Sequence, residues 1–211
     1  RREPSRNRKT GGIGLGLSFI LALVLGPVVA GWIGVDGIFQ ATGISALIAI
    51  PVVLWWVPNP PAATAEAVNF GSVTANRELR RLDAGIFLLH ACMTALFIAA
   101  PLAIAETLGL PASAHWKVYL PVLLVSVLPV LTLSRRAEQQ GRTHAYLLIA
   151  IATLALSLIL ASELHKIAFG LVAALLLYFA AFNYLEGSLP SMISRIAPPR
   201  QRGAAMGIYA T

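Results

Sequence analysis

The stretch AGIFLLHACMTALFIAAPLAIA, residues 84–105, contains no Asp, Glu, Lys or Arg. A helix needs about 20 mostly apolar residues to cross the hydrocarbon core of a membrane, and this stretch is long enough. Pro101 would break a helix in water, but inside a bundle it marks a kink because neighbouring helices satisfy the freed backbone groups. The stretch therefore predicts a transmembrane helix.

Comparable stretches recur along the chain. Of its 211 residues 57% are hydrophobic and 12% charged, which is more apolar surface than a soluble domain of this size can bury. We expect a polytopic, all-α transmembrane helical bundle that is incomplete, because the chain lacks an initiator Met and its last residues, 203–211, only begin another helix. The six full spans are predicted at 11–33, 38–57, 84–105, 117–133, 145–162 and 167–194.

The basic residues indicate the orientation of these spans. Of the 16 Lys and Arg, all but Lys117 and Lys166 fall in alternate connections. Because short cytoplasmic loops keep an excess of Lys and Arg, we expect residue 1 and the longest connection, 58–83, to be cytoplasmic. The net charge of +7 is thus explained by topology, and no nucleic-acid partner is expected.

A motif of small residues lies in the first span, LGPVVAG at 25–31. Gly26 and Gly31 would let another helix approach closely, and Pro27 would bend the axis. The alternative is ordinary small-residue packing. The motif resembles the Gly-rich sequence, ending in Gly-Pro-x-x-Gly-Gly, of the fifth helix of proton-coupled drug antiporters in the major facilitator superfamily, with Ala30 replacing one Gly.

The connection SRRAEQQGR, residues 134–142, resembles the Gly-x-x-x-Asp-Arg-x-Gly-Arg signature that the same superfamily carries between its eighth and ninth helices. Glu138 takes the place of the Asp, and Gly141 and Arg142 match, whereas Ser134 and Gln139 depart from the signature. An acid and several Arg at helix ends can form charge-assisted bonds that hold one conformation and release it in another. Alternatively, the segment is a solvated basic loop.

Two further segments, LDAGIFLLH at 82–90 and AFNYLEGSLPS at 181–191, resemble the seventh and tenth helices of YajR-like drug:proton antiporters, a branch of the superfamily. The resemblance extends from the fifth helix to the opening of the eleventh. It implies that 1–57 holds the last two helices of an N-terminal bundle, 58–83 a cytoplasmic linker between halves, and 84–211 the first four helices of a C-terminal bundle and the start of a fifth.

The resemblance also implies a function. A member of this branch would be a monomeric, multi-pass protein of the bacterial inner membrane that exports hydrophobic or cationic small molecules in exchange for protons, by alternating access between two bundles. Two alternatives remain: a proton-coupled carrier of one specific metabolite, and a membrane scaffold or sensor that transports nothing.

Glu186 is the only carboxylate well inside a predicted span, where ionisable groups are costly and therefore indicate function. It precedes Arg195 by nine residues, about 13 Å along a helix, which places it near the membrane midplane. Asn183 lies one turn away on the same face. Pro190 cannot donate to the Glu186 carbonyl, which leaves that oxygen available. Glu186 is predicted to gain and lose a proton; alternatively, it is a neutral, hydrogen-bonded residue that only links helices.

His90 lies seven residues, about 10 Å, beyond Asp83, at a depth similar to that of Glu186. The two side chains could meet, although a lone His on an apolar helix can also be a packing residue. Asp83 and Glu106 lie near helix ends, where carboxylates can reach headgroups or water.

The chemistry of an enzyme is not indicated. The chain has one cysteine, Cys92, so it can form no internal disulfide. It has no Gly-rich phosphate loop, no Ser/His/Asp set and no Cys/His cluster. We therefore expect no enzyme, no cofactor and no metal, with a small-molecule substrate, protons and the lipid bilayer as partners.

Overall fold

The chain is α-helical, apart from its connections, wherever the structure describes it. The computed structural model describes residues 10–58 and 70–210, and for 10–24 and 27 the backbone alone. Five of the described helices are long and apolar enough to cross a membrane. The predicted fold class, a transmembrane helical bundle, is confirmed. The chain divides into two compact units, Arg1–Ala67 and Val68–Thr211.

In the first unit, the described residues form one helical run, α1, Thr10–Trp56, which is interrupted at Gly34. Its 47 residues would span about 70 Å as a single rod, more than twice the hydrocarbon thickness. Gly34 has φ 71° and ψ 175°, a backbone conformation open essentially to Gly alone. The break falls between the predicted spans 11–33 and 38–57. Most side chains of the first predicted span lie outside the described residues.

The second unit is built around one helix. It comprises α2 (Phe70–Ala75), α3 (Arg77–Leu108), a 3-10 turn (Ala112–Ala114), α4 (Trp116–Gln139), α5 (Thr143–Leu164), α6 (Ala168–Ile196) and α7 (Arg202–Tyr209). Helix α6 packs against α3, α4, α5 and α7. In its most apolar stretch 56% of the residues are buried, against 22 to 28% in α3, α4 and α5. Side chains on α6 are therefore the best placed to meet those of several neighbours.

Apolar side chains cover both faces of α3. Leu82, Ile86 and Leu89 are buried against the bundle. Phe87 and Leu88 on the other side are 72% and 61% exposed. In water such a surface would be costly, whereas in a lipid bilayer it is the expected outer surface of a helix.

The predicted linker, 58–83, contains more helix than expected. Helix α3 begins at Arg77, not near residue 84, because Asn76 caps it: the Asn76 Oδ1 accepts from the backbone N–H groups of Glu78 (2.9 Å) and Leu79 (3.3 Å). Helix α2 lies in the same segment. Hydropathy identifies the part of a helix that lies in hydrocarbon, so it did not predict the polar first turns of α3, residues 77–83.

The predicted connection 134–142 is also mostly helical. Helix α4 continues to Gln139 and α5 begins at Thr143, so the turn itself is 140–142. Gly141 makes this short turn possible with a left-handed φ of 63°. Pro101, Pro121, Pro129 and Pro190 all lie inside helices, which confirms that these prolines do not end the spans.

Candidate functional site

The structure brings His90 of α3 and Glu186 of α6 together. The His90 Nε2 lies 3.9 Å from the Glu186 Oε2, within ion-pair range but beyond hydrogen-bond length. The buried residues Leu82, Ile86 and Leu89 fix the face of α3 that turns towards α6, and His90 adjoins that face. The sequence predicts a similar membrane depth for these two ionisable groups, and the fold makes them neighbours.

The tautomer of His90 follows from its second ring nitrogen. The His90 Nδ1 lies 3.1 Å from the Ile86 carbonyl oxygen, one turn earlier on α3. A carbonyl oxygen only accepts, so Nδ1 must carry the hydrogen. In the neutral ring, Nε2 therefore presents a lone pair towards Glu186. The Nε2 lone pair and an ionised Oε2 would be two acceptors facing each other, and one proton on either atom removes that conflict.

Glu186 has an exposed part and a buried part. Its side chain is 44% exposed, yet the Oε2 atom is buried and has no hydrogen-bond partner among the described residues. A buried carboxylate oxygen without a donor is costly, because it has lost the hydrogen bonds that water would give it. Pro190 lies four residues further along α6 and cannot donate to the Glu186 carbonyl.

One aromatic ring contacts the pair, and further rings pack behind it. Phe182 meets the His90 ring edge to face at 6.1 Å and stacks on Tyr178 at 5.9 Å. Phe179 joins Tyr178 to Tyr119 of α4, with centroid distances of 5.4 and 6.4 Å. Aromatic residues in an apolar span indicate only packing, so no sequence signal distinguished these rings.

Asn183, predicted to share the cavity with Glu186, uses its side-chain amide to reach α4, and its place in the cavity stays a prediction. Its Nδ2 donates to the Ser126 Oγ at 3.0 Å, and the Ser126 hydroxyl donates to the Leu123 carbonyl at 2.8 Å. Ser126 is fully buried. This bond ties α4 to α6 one turn from Glu186, so Asn183 helps to hold the helix that carries the carboxylate.

The signature-like segment contributes one ion pair. The Arg195 Nη2, near the end of α6, donates to the Glu138 Oε1 on α4 at 3.3 Å. The signature-like pattern indicated Glu138, Gly141 and Arg142 but gave no sign of Arg195, which lies 57 positions from Glu138. Arg142 follows Gly141 in the turn, where its backbone N–H donates to the Ala137 carbonyl at 3.0 Å, and its conformational role stays a prediction. Both partners of the pair are more than half exposed.

Beside this ion pair lies a cavity of about 140 Å³. Its lining comes from α4, α5 and α6 and includes the polar side chains of Ser134, Glu138, Thr143, Ser188 and Arg195 together with Tyr184 and Met192. Neither His90 nor Glu186 lines it. The cavity therefore accompanies the Glu138–Arg195 ion pair and is separate from the His90–Glu186 pair.

The small residues of α1 have open space beside them in the described structure. A Cβ added at Gly26 or Gly31 would meet no described atom within 4 Å. The side chain of Pro27 lies outside the described residues. The predicted close contact of Gly26 and Gly31 with another helix remains a prediction.

The model of the Major Facilitator Superfamily matches residues 5–211. The chain belongs to this superfamily. It is 31% identical over 218 residues to the inner membrane transport protein YajR of Escherichia coli, covering all of this chain and 48% of that protein. It is 27% identical to an uncharacterised transporter of Buchnera aphidicola, covering all of this chain and 56% of the relative.

The chain thus spans about half the length of the relatives it matches. Membership of a transporter superfamily confirms three predictions: a relationship to YajR-like proteins, a location in the bacterial inner membrane with several spans, and a protein that is not an enzyme. No group of three or more His, Cys, Asp or Glu suited to a metal ion occurs in the parts described.

Proposed function

We propose that the complete protein is a proton-coupled secondary transporter that exports hydrophobic or cationic small molecules by alternating access. In this proposal the 58–83 segment links two halves on the cytoplasmic side, as the resemblance implies. The substrate passes near the membrane midplane, where the two halves of such a transporter meet.

One observation carries the proton coupling: His90 and Glu186 face each other at 3.9 Å as a lone pair and a carboxylate oxygen. A single shared proton is favourable there, because it yields either His⁺ beside Glu⁻ or neutral His beside a neutral acid. If the pair binds a second proton or loses the only one, the attraction between His90 and Glu186 is lost. The pair is therefore suited to bind one proton per conformational cycle.

Changes in solvation would make the pair respond to the transport cycle. When the site is closed, burial disfavours isolated charge and keeps the proton bound. When water enters, it stabilises the carboxylate and the proton can leave. A transporter needs this difference between conformations, since a ligand shifts an equilibrium only by its differential affinity for the two states.

The surroundings of the pair favour an apolar or cationic substrate. Phe182 supplies an aromatic ring beside His90, and aromatic rings attract cations as well as apolar groups. A substrate cation and a proton could then use the same carboxylate at different points of the cycle. Exchange of this kind is antiport, and it yields drug efflux when the substrate moves outwards.

The variant Glu186→Gln tests this proposal in the complete protein reconstituted in vesicles. It keeps the size and hydrogen-bonding capacity of the side chain but cannot titrate. We expect it to insert at normal levels and to bind substrate, while accumulation driven by a pH gradient falls at least tenfold.

The matched control is Glu163→Gln, which removes an exposed carboxylate near the end of α5. We expect this variant to transport normally. Undiminished proton-driven accumulation by Glu186→Gln would refute the coupling role and leave Glu186 as a residue that links helices.

A further inference from the structure

Three arginines surround the turn between α4 and α5. Arg135 and Arg136 lie in the last turns of α4, Arg142 ends the turn, and all three residues are exposed. The turn is tight, because the Arg142 backbone N–H donates to the Ala137 carbonyl at 3.0 Å. Arg142 is thereby held beside the end of α4, close to the other two arginines.

None of these three charges is neutralised within the described part of the chain. The only nearby acid in the sequence, Glu138, pairs with Arg195 of α6 at 3.3 Å. No ion pair or side-chain hydrogen bond joins Arg135, Arg136 or Arg142 to another described residue. Their guanidinium groups are therefore available to an anion from the surroundings.

The outward face of α4 leads directly to these charges. Three leucines on this face are 49%, 62% and 55% exposed: Leu124, Leu128 and Leu131. They precede Arg135 by eleven, seven and four residues, so all four side chains lie in one row along the helix. The buried side chains of α4 lie on the opposite face, and α4 packs against α6. Arg135 therefore stands at the end of an apolar row that suits contact with lipid.

The depth of Arg135 in the membrane follows from the bond between α4 and α6. Ser126 accepts a hydrogen bond from Asn183, which lies one turn from Glu186 and so near the predicted midplane. Arg135 follows Ser126 by nine residues, about 13 Å along the helix. Because half of the hydrocarbon thickness is about 15 Å, Arg135 lies at the boundary between hydrocarbon and headgroups. Its long side chain can extend from there to the level of the lipid phosphates.

We propose that Arg135, Arg136 and Arg142 bind the headgroup of an acidic phospholipid in the leaflet that the sequence predicts to be cytoplasmic. The phosphate accepts charge-assisted hydrogen bonds from the guanidinium groups, and an acyl chain lies along the exposed leucines of α4. A zwitterionic headgroup would bring its own ammonium group towards three positive charges, so a headgroup with a net negative charge is favoured. Lipid binding at this turn does not depend on the proposed transport function.

Titration of the complete protein with phosphatidylglycerol tests this site. The protein is kept in micelles of a neutral detergent, and native mass spectrometry measures the lipid bound. Phosphatidylcholine with the same acyl chains provides the zwitterionic comparison, and we expect it to bind about tenfold more weakly.

Replacing the arginines should remove this preference. Each arginine near an acidic lipid contributes about 1 kcal/mol, a factor of about five in affinity. The double variant Arg135→Gln/Arg136→Gln should therefore weaken the tightest phosphatidylglycerol binding about 25-fold and leave phosphatidylcholine binding unchanged. Arg142→Gln leaves α4 intact and should weaken it about fivefold, so it tests the site even if the double variant does not fold.

Two matched controls each remove the same number of charges as the double variant. Arg77→Gln/Arg80→Gln removes two exposed arginines from the start of α3, at the same side of the membrane. Lys117→Gln/Lys166→Gln removes two exposed lysines from the predicted opposite side. Both controls should bind phosphatidylglycerol at the tightest site as the unmodified protein does.

Four outcomes would overturn the lipid site. The first is phosphatidylglycerol binding by unmodified protein that is no tighter than phosphatidylcholine binding, which would mean that another part of the complete protein covers this face. The second is undiminished binding in Arg142→Gln and in the double variant. The third is an equal loss in either control, and the fourth is displacement of the lipid by an excess of inorganic phosphate, which would indicate a site for free anions.

Discussion

Ser126 joins two helices through a single hydroxyl. It accepts a hydrogen bond from Asn183 and donates one to the Leu123 carbonyl, in a position that neither water nor lipid reaches. A hydrogen bond between membrane helices contributes about 0.6 kcal/mol on average and up to about 2 kcal/mol. If Ser126 is replaced by alanine, the Asn183 amide loses this hydrogen-bond acceptor.

We expect Ser126→Ala to lower the free energy of unfolding by about 1 kcal/mol, because it removes the bond between α4 and α6. Reversible unfolding of the complete protein in mixed micelles measures this. Ser157→Ala is the control, since Ser157 is equally buried and donates only to Leu154 in its own helix. Equal losses in the two variants would show that the link between helices contributes nothing.

Glu186 and His90 could be found from the sequence, whereas the residues packed around them could not. A carboxylate within an apolar span is conspicuous, and the depth of His90 on a second span suggested the pairing. Ser126 and Phe182 carry no such signal, because serine and aromatic residues are ordinary in membrane helices. Which face of each helix turns inwards depends on packing between spans far apart in the sequence.

Gly34 divides the long helical run of the first unit. Its φ of 71° with ψ of 175° is a conformation that any Cβ would strain, at a cost of about 1–3 kcal/mol. Without that break the helix would be too long to cross the membrane once, and the chain could not reverse direction to cross it a second time. The glycine is therefore required by backbone geometry and not by close packing.

We expect Gly34→Ala to destabilise the complete protein and to lower its yield in the membrane, measured by thermal unfolding in detergent and by quantitative blotting. Gly43→Ala is the control, because Gly43 lies in a regular helical part of the same run with open space at its Cβ. Alanine favours a helix over glycine by about 1 kcal/mol, so the control should be neutral or stabilising. Equal stability of the two variants would contradict the requirement for glycine at position 34.

The ends of helices were predicted less well than their middles. Hydropathy located the part of α3 that lies in hydrocarbon, but Asn76 extends that helix through polar residues to Arg77. Similarly, α4 runs through Arg135, Arg136 and Glu138. Such turns are helical because a cap or a neighbouring helix stabilises them. Hydropathy detects neither caps nor contacts between helices.

The fold class itself follows from hydropathy and the distribution of charge. Backbone groups in lipid must be satisfied within a helix or a closed barrel, so long apolar stretches leave few alternatives. The sidedness depends on Lys and Arg alone and is a separate prediction. It places residues 58–83 in the cytoplasm and the turn at Ala112–Ala114 outside.

We expect single cysteines at Ala63 and Ser113 to react with a membrane-impermeant maleimide from opposite sides, in a complete protein from which native cysteines have been removed. Ser113 is exposed in the 3-10 turn, so reagent can reach it. Permeabilised cells provide the control, since both positions should then be labelled. Labelling of both from one side in intact cells would contradict the predicted topology.

The bond between Gln201 and Ser72 has a consequence for biosynthesis. The Gln201 Nε2 donates to the Ser72 Oγ at 3.0 Å across 129 residues of chain. Ribosomes add about 5–20 residues per second, so this partner emerges roughly ten seconds after Ser72. During that interval α3 to α6 must enter the membrane while α2 has not yet acquired this contact. The bond therefore forms late, and it ties the segment before α3 to the loop after α6 only once the intervening spans have been made.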